Sequence, residues 1–450
     1  MERRMPSVLH MLAALALSLA LTPLVHAQAA PRYAVTELAG VPIRLNNSGQ
    51  IAGWVYVGAD AHAAIYSNGA WRDLGVPAGD QLSALFGINS AGTAVGYSFA
   101  SLGGSPPDNR WRAITTSADG ASVQVLAAIS PDSFAYGIND AGVIVGCRNR
   151  YDDVYPDPHR AFAYFDGTVT NLHDLLSPPA TQTPFDFTCA RAVNRAGDIV
   201  GEVQLASAPQ RGFVFRGGVV TRLETPAGYL LNARAINDLG KIAGEGRLAG
   251  FSADHALVFD VGTGAITSLG GEASGAYTSR AVDINGRGDV VGMMFTNIGE
   301  RAFLASGGRF HDLNHLIPAA SEWVLQEGQS INDRGQIVGR GYRTSSPTVT
   351  SYFLATPLSP AQATEALIER VNALVAQGVL GKGPGQALVA KLRAAVHQVS
   401  LGNYATASHQ LSAFIHQVNA QIRAGVLAPQ TGQELLDAAH AIVALLAGMR

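Results

Sequence analysis

Charge is scarce in this sequence. Asp, Glu, Lys and Arg make up only 14% of the 450 residues, and their balance is a net -3. No basic footprint exists for nucleic acid, so that partner is set aside. Cysteine is rarer still, with Cys147 and Cys189 alone, and no Cys/His cluster has zinc spacing. A Gly-x-Ser-x-Gly elbow, a phosphate loop and a dinucleotide fingerprint are also missing from any suitable context. The one long apolar run, Leu9 to Leu21, follows Arg3 and Arg4 and precedes the small-residue site Val25-His26-Ala27. It reads as an export signal over residues 1–27, with a mature chain from Gln28. Nothing later is apolar for the roughly 18 to 20 residues of a membrane span, so the mature chain has no expected transmembrane segment.

What the sequence does have is glycine, 50 residues of it, set in a recurring skeleton. The stretch Ser330 to Gly339 carries an apolar residue, Asn, a Gly three residues on and a second Gly four later. The Asn recurs at Asn46, Asn89, Asn139, Asn194, Asn237, Asn285 and Asn332, spaced 43, 50, 55, 43, 48 and 47 residues apart. That period accommodates about four short strands per unit. In the third unit the expected strands are Phe134 to Ile138, Val143 to Arg148, Arg160 to Phe165 and Thr168 to His173. Asn139-Asp140-Ala141-Gly142 joins the first pair, its Gly taking the positive φ, and Asp166-Gly167 joins the second. The Asn side chain is suited to bond backbone NH groups further along the turn.

The seventh unit runs from Tyr352-Phe353-Leu354 into Thr356-Pro357 and lacks a fourth strand. Tyr33 to Leu38 matches the missing one, because Thr36-Glu37-Leu38 parallels Arg72-Asp73-Leu74. Supplying it would close the array into a ring and leave no long edge. The expected fold is therefore an all-β seven-bladed β-propeller closed by an N-terminal strand, over residues 28–356; the competing open solenoid predicts shorter repeats and no missing strand. From Ser359 onward the period becomes helical, with starts at Pro360, after Asn403 as a cap, and at Pro429. Residues 357–450 are expected to form a small all-α bundle.

Cys147 and Cys189 lie in consecutive units, and an exported pair is expected either to bridge or to remain as two buried thiols. The position opening the third strand is basic in six units: His62, Arg112, Arg160, Arg211, His255 and Arg301. Pairing with nearby acids is the expected role of this ring, with an acidic polymer as the other reading. Asp283 to Asp289 faintly resembles a calcium loop, but Arg287 stands at a ligand position and the terminal Glu is absent. No metal or cofactor is expected.

The units resemble the HAF family of probable extracellular bacterial repeats, whose triplet appears in altered form as His62-Ala63-Ala64, Arg160-Ala161-Phe162 and Arg301-Ala302-Phe303. The tail resembles the FIMAH domain through Leu401-Gly402-Asn403-Tyr404 and Phe414-Ile415-His416-Gln417-Val418. Both resemblances imply an exported, periplasmic or surface protein, and neither implies a reaction. The Asn turns share one face of the ring, leaving the longer, variable loops on the other, where binding usually resides. Its candidate ligand-binding residues are Trp111, Tyr151, Asp153, Tyr155, Phe185 and Trp323, since aromatics stack on sugar rings or apolar patches while acids accept hydrogen bonds. The leading expectation is a non-catalytic propeller binding a carbohydrate, peptide or surface partner. The alternatives are a polysaccharide hydrolase or lyase at the channel mouth, and a structural spacer.

Overall fold

The computed structural model describes residues 33–101, 109–117, 119–129, 132–148, 160–176, 187–205, 208–271, 276–318 and 321–449. Residues 33–357 form seven antiparallel sheets, each joined to the next in chain order, which together make a seven-bladed β-propeller. The third blade is typical, with strands Ser133–Ile138, Ile144–Arg148, Arg160–Phe165 and Thr168–Asn171 running outward from the axis. Its fourth strand stops at Asn171, short of the expected His173, because His173–Leu175 turns into a short 3-10 helix. The seventh blade, Trp323–Ile331, Ile337–Arg343 and Ser346–Pro357, is completed by Tyr33–Leu38, with Tyr33 opposite Pro357 and Leu38 opposite Tyr352. Tyr33 and Leu38 are buried in the cores they complete.

One local device repeats in every blade. Between the innermost strand and the second, the register slips by one residue, leaving Ile43, Phe86, Tyr136, Arg191, Arg234, Val282 and Gln329 unpaired. Such a bulge bends the strand and re-aims the extra side chain. The second Gly of the skeleton lies across from each bulge. A Cβ on Gly339 would stand 1.9 Å from the Glu327 carbonyl oxygen, and one on Gly146 1.9 Å from that of Phe134. That close approach, rather than turn geometry, requires glycine there. The first Gly answers to φ instead, as at Gly335 with φ 75°.

The seven Asn side chains do more than brace their own turns. Asn332 Oδ1 accepts from the NH groups of Arg334 and Gln336, at 3.1 and 3.0 Å, and its Nδ2 donates to the Asn46 carbonyl at 3.0 Å. Asn46 donates in turn to Asn89, Asn89 to Asn139, Asn139 to Asn194, Asn194 to Asn237, Asn237 to Asn285, and Asn285 to Asn332, over 3.0 to 3.3 Å. A closed ring of hydrogen bonds thus links each blade to the next. Further out, Ser83, Ser133, Thr188 and Ser279 hydroxyls accept from strand NH groups of the preceding blade. Cys147 and Cys189 form a disulfide between blades three and four, with Cα atoms 4.8 Å apart.

Four helices follow: α1 (Pro360–Ala376), α2 (Lys382–Ser400), α3 (Tyr404–Arg423) and α4 (Pro429–Ala447). Ser359 and Gln362 make a reciprocal capping box at the start of α1. Asn403 does not cap α3 as expected, because its Nδ2 donates to Gln398 Oε1 at 3.1 Å. The helices bury one shared core that includes Leu367, Val371, Leu388, Leu411, Phe414 and Leu435. The two helical hairpins also share a sequence pattern: Gly378-Val379-Leu380 with Gly385-Gln386 recurs as Gly425-Val426-Leu427 with Gly432-Gln433. Among the described residues no helix is long and apolar enough to cross a membrane.

Candidate functional site

The seven bulge residues, with Arg44 and Glu327, line a cavity of about 310 Å³ on the propeller axis. A second cavity, about 240 Å³, adjoins it at the end of the channel bounded by the Asn ring. Ile43, Phe86, Tyr136, Arg191, Arg234, Val282 and Gln329 are the functional candidates that sequence reasoning missed. The available signal was position: each stands three residues before a ring Asn.

Two groups of side chains of opposite chemistry lead outward from the cavity, the first through Phe86 and Tyr136 and the second through Arg191 and Arg234. Across blades one to three runs a sheet of touching, half-buried rings. Trp54 lies 6.1 Å from Phe86, Phe86 stacks on Tyr97 at 4.8 Å, and Tyr97 meets Trp111 edge-on at 5.2 Å. Trp111 also touches Phe99 at 4.8 Å and Phe134 at 5.6 Å, and Tyr136 meets Phe86 at 5.8 Å. Offset and edge-on pairs of this kind hold each other in place. Because the rings start at the axis with Phe86 and Tyr136 and reach the third-strand residue Trp111, they form a platform from channel to loop side.

Blades four to seven present guanidinium groups, each held by a carboxylate. Arg191 binds Glu202, with Nε at 3.1 Å from Oε1. Arg234 Nη2 lies 3.1 Å from Glu245 Oε1. Arg280 and Arg340 share Glu327 at 3.0 and 2.8 Å, and Arg340 also reaches Glu300 at 3.1 Å. Deeper in the channel, Arg44 Nη1 pairs with Asp283 Oδ1 at 2.6 Å, while Asp283 Oδ2 accepts from Ser330 Oγ and the Ile331 NH. The two groups meet where the Arg191 guanidinium lies 4.5 Å over the Tyr136 ring. Burial would weaken the Arg191 charge, but the Glu202 carboxylate and Tyr136 outweigh it and raise its pKa. Burial also raises the Tyr136 phenol, and it pushes Tyr97 up to about 12, with the neighbouring Tyr136 adding to the effect. Both tyrosines remain protonated, as hydrogen-bond donors, near neutral pH.

The sequence-derived candidates separate. Trp111 sits at the centre of the platform. Trp323 departs from the expectation of an open face: it is buried, packs edge-on against Phe353 at 6.1 Å and is covered by the Arg343 guanidinium at 4.4 Å. Tyr151, Asp153, Tyr155 and Phe185 lie outside the described residues, as does the segment read as an export signal. Four of the six residues of the basic ring pair with acids: His62 meets Asp73 at 3.1 Å, Arg211 meets Glu224 and Arg301 meets Asp312 at 3.0 Å each, and Arg112 pairs with Asp80. In the calcium-like stretch, Asp289 accepts from Asn285, Arg287 and Ser306, so its oxygens are engaged within the turn. Among the described residues no group of three or more His, Cys, Asp and Glu is placed to hold a metal ion.

With this geometry the chain is a seven-bladed β-propeller followed by a helical domain. Residues 364–444 match the FIMAH domain, and residues 81–226 match a protein of unknown function (DUF3466). Comparison with curated proteins gives no match. Among solved structures, the acylaminoacyl peptidase of Pyrococcus horikoshii is similar at 12% identity over 61% of this chain and 44% of that one, with a TM-score of 0.42. This chain therefore spans less than half of that peptidase. The β-propeller domain of the Trilobed protease from Pyrococcus furiosus is similar at 10% identity, over 71% and 93% of the two chains, with a TM-score of 0.45. An oligogalacturonate lyase in complex with manganese is similar at 12%, over 69% and 74%, with a TM-score of 0.35. None of these likenesses bears on what this chain binds.

Proposed function

We propose that this protein is an exported, non-catalytic propeller that binds a surface carbohydrate at the loop-side mouth of its channel. The observation that carries this reading is the platform of seven half-buried aromatic rings leading into a cavity of mixed lining, with Ile43 and Val282 beside Arg191, Arg234, Glu327 and Gln329. Aromatic faces stack on the C–H faces of sugar rings, and guanidinium and carboxylate groups exchange hydrogen bonds with hydroxyls. The chain path is compatible with it. Tyr33 and Pro357 pair at the Asn-turn end, so the first and last strands of the propeller respectively begin and end on the face opposite the variable loops. Export rests on the basic and apolar start of the sequence and on the resemblance to extracellular HAF repeats; the helical domain then serves as an attachment or partner module.

The test is a glycan-binding screen of the full mature chain against its Trp111→Ala variant, with thermal melting to verify the fold. A ligand held by the parent and weakened tenfold or more by Trp111→Ala is the expected result. No glycan retained by the parent would defeat the reading. A second reading, a polysaccharide hydrolase or lyase, draws on the Tyr136–Arg191–Glu202 contact at the same mouth. New reducing ends or unsaturated products after incubation with the bound glycan would establish that reading in place of the first.

A further inference from the structure

We infer that the outer face of the α2–α3 hairpin attaches the protein to an acidic polysaccharide. This names the partner of the helical module and stands apart from whatever the channel binds.

The first observation is an absence. From residue 370 to residue 433 the chain contains no Asp or Glu, while Arg370, Lys382, Lys391, Arg393 and Arg423 all fall within that stretch. Arg370 pairs with Glu434 at 2.9 Å, the only ion pair of the helical domain among the described residues. The other four cations, on α2 and α3, have no carboxylate within ion-pairing distance among those residues. Helix formation does not account for this, because none of the four helices carries an acid in its first turn, where the helix dipole favours one. The sign also differs from that of the propeller. Residues 358–450 hold six Lys and Arg against four Asp and Glu, a net +2, so the rest of the chain, from the total of -3, is -5. A polyanion is repelled by the propeller and attracted by the hairpin, which orients its approach.

The second observation is what surrounds these charges. Lys382, Arg393 and His397 are exposed on α2, as are His409, His416 and Arg423 on α3, with Lys391 half-buried. The three on α3 are seven residues apart and share one face. The helices turn back on each other at residues 401–403, so their outer faces adjoin along about 28 Å, at about 1.5 Å per residue. Between the charged groups the exposed positions include Ala387, Ala390, Ala405 and Ala420, and the two aromatic residues, Tyr404 and Phe414, pack on the helical core. That composition selects among polyanions. A lipid surface would need large apolar side chains on the outer face, and a single-stranded nucleic acid would need exposed rings to stack on. A sugar chain needs neither. Its carboxylates meet the separated cations, its hydroxyls meet the imidazoles, and the alanines leave room for its rings.

The experiment measures binding of the full mature chain to polygalacturonate and alginate at low and high salt. Dextran serves as the neutral comparison, and duplex DNA and vesicles of phosphatidylcholine and phosphatidylglycerol in equal parts serve as other polyanions. Both acidic polysaccharides should bind and dextran should not. High salt should weaken binding tenfold or more, since the cations are exposed. Joint substitution Lys382→Gln, Lys391→Gln, Arg393→Gln and Arg423→Gln should do the same while the melting temperature holds. Trp111→Ala should leave this binding unchanged, and that result supports the inference even where the glycan screen of the channel finds nothing. No binding to either acidic polysaccharide, undiminished binding by the four-site variant, or tighter binding to the vesicles or the DNA would each overturn it. Binding lost in Trp111→Ala and kept in the four-site variant would overturn it too, and would assign the acidic polymer to the aromatic platform.

Discussion

At the residue scale, two glycines of one repeat answer to different forces, and their substitutions should differ in cost. Gly335→Ala strains a backbone at φ 75°, which costs about 1 kcal/mol. Gly339→Ala drives a Cβ to 1.9 Å from the Glu327 carbonyl and forces the strand pair apart, at about 3 kcal/mol or more. Urea unfolding of the two variants should return that order. Tyr97 gives a pH prediction. Its folded pKa of about 12 lies above the ordinary 10.0, so the protonated phenol is the form that folding favours. Its contribution to stability is fully present below pH 10 and is lost as pH rises from 10 toward 12. Tyr97→Phe should flatten the alkaline decline in melting temperature over that window, and absorbance near 295 nm should show one fewer late-titrating phenol.

At the scale of elements, the blades are fastened by their inner hairpins. Asn332→Ala removes the donor to the Asn46 carbonyl, which keeps only the Gly49 NH, and the acceptor for two half-buried turn NH groups. An expected loss of about 2 to 3 kcal/mol follows, with measurement by denaturant unfolding. Cys147 and Cys189 close a 42-residue separation between blades three and four. The double Ser variant should lose about 2 to 4 kcal/mol, largely because its unfolded chain is less constrained. These hairpin turns were legible in sequence because a tight turn has strict local demands. The bulges were not, since a slip of one residue at Tyr136 or Arg191 leaves the surrounding residues reading as an ordinary strand.

At the scale of the molecule, the ring is closed by its first strand on its last sheet, and closure makes the seven blades cooperative. A variant beginning at Ala39 loses the whole Tyr33–Leu38 ladder on Ser346–Pro357, and its melting temperature should fall by more than about 5 °C. The helical domain buries its own core, so residues 358–450 alone should give a helical circular-dichroism spectrum with a cooperative melt. The sequence by itself determined the repeat, the blade count, the closing strand and the change to helices at Ser359, because each follows from local turn chemistry or from periodic burial. It named Trp111 as a candidate from residue type and an expected loop position, whereas the residue stands inside the strand Asn109–Thr116. Only the tertiary structure decided that Trp323 is buried, that Trp111 belongs to a platform with Phe86 and Tyr97, and that Arg191 and Arg234 face the axis. Those facts depend on which side chains from different blades meet around one channel, and residues forty or more positions apart carry no spacing that announces it.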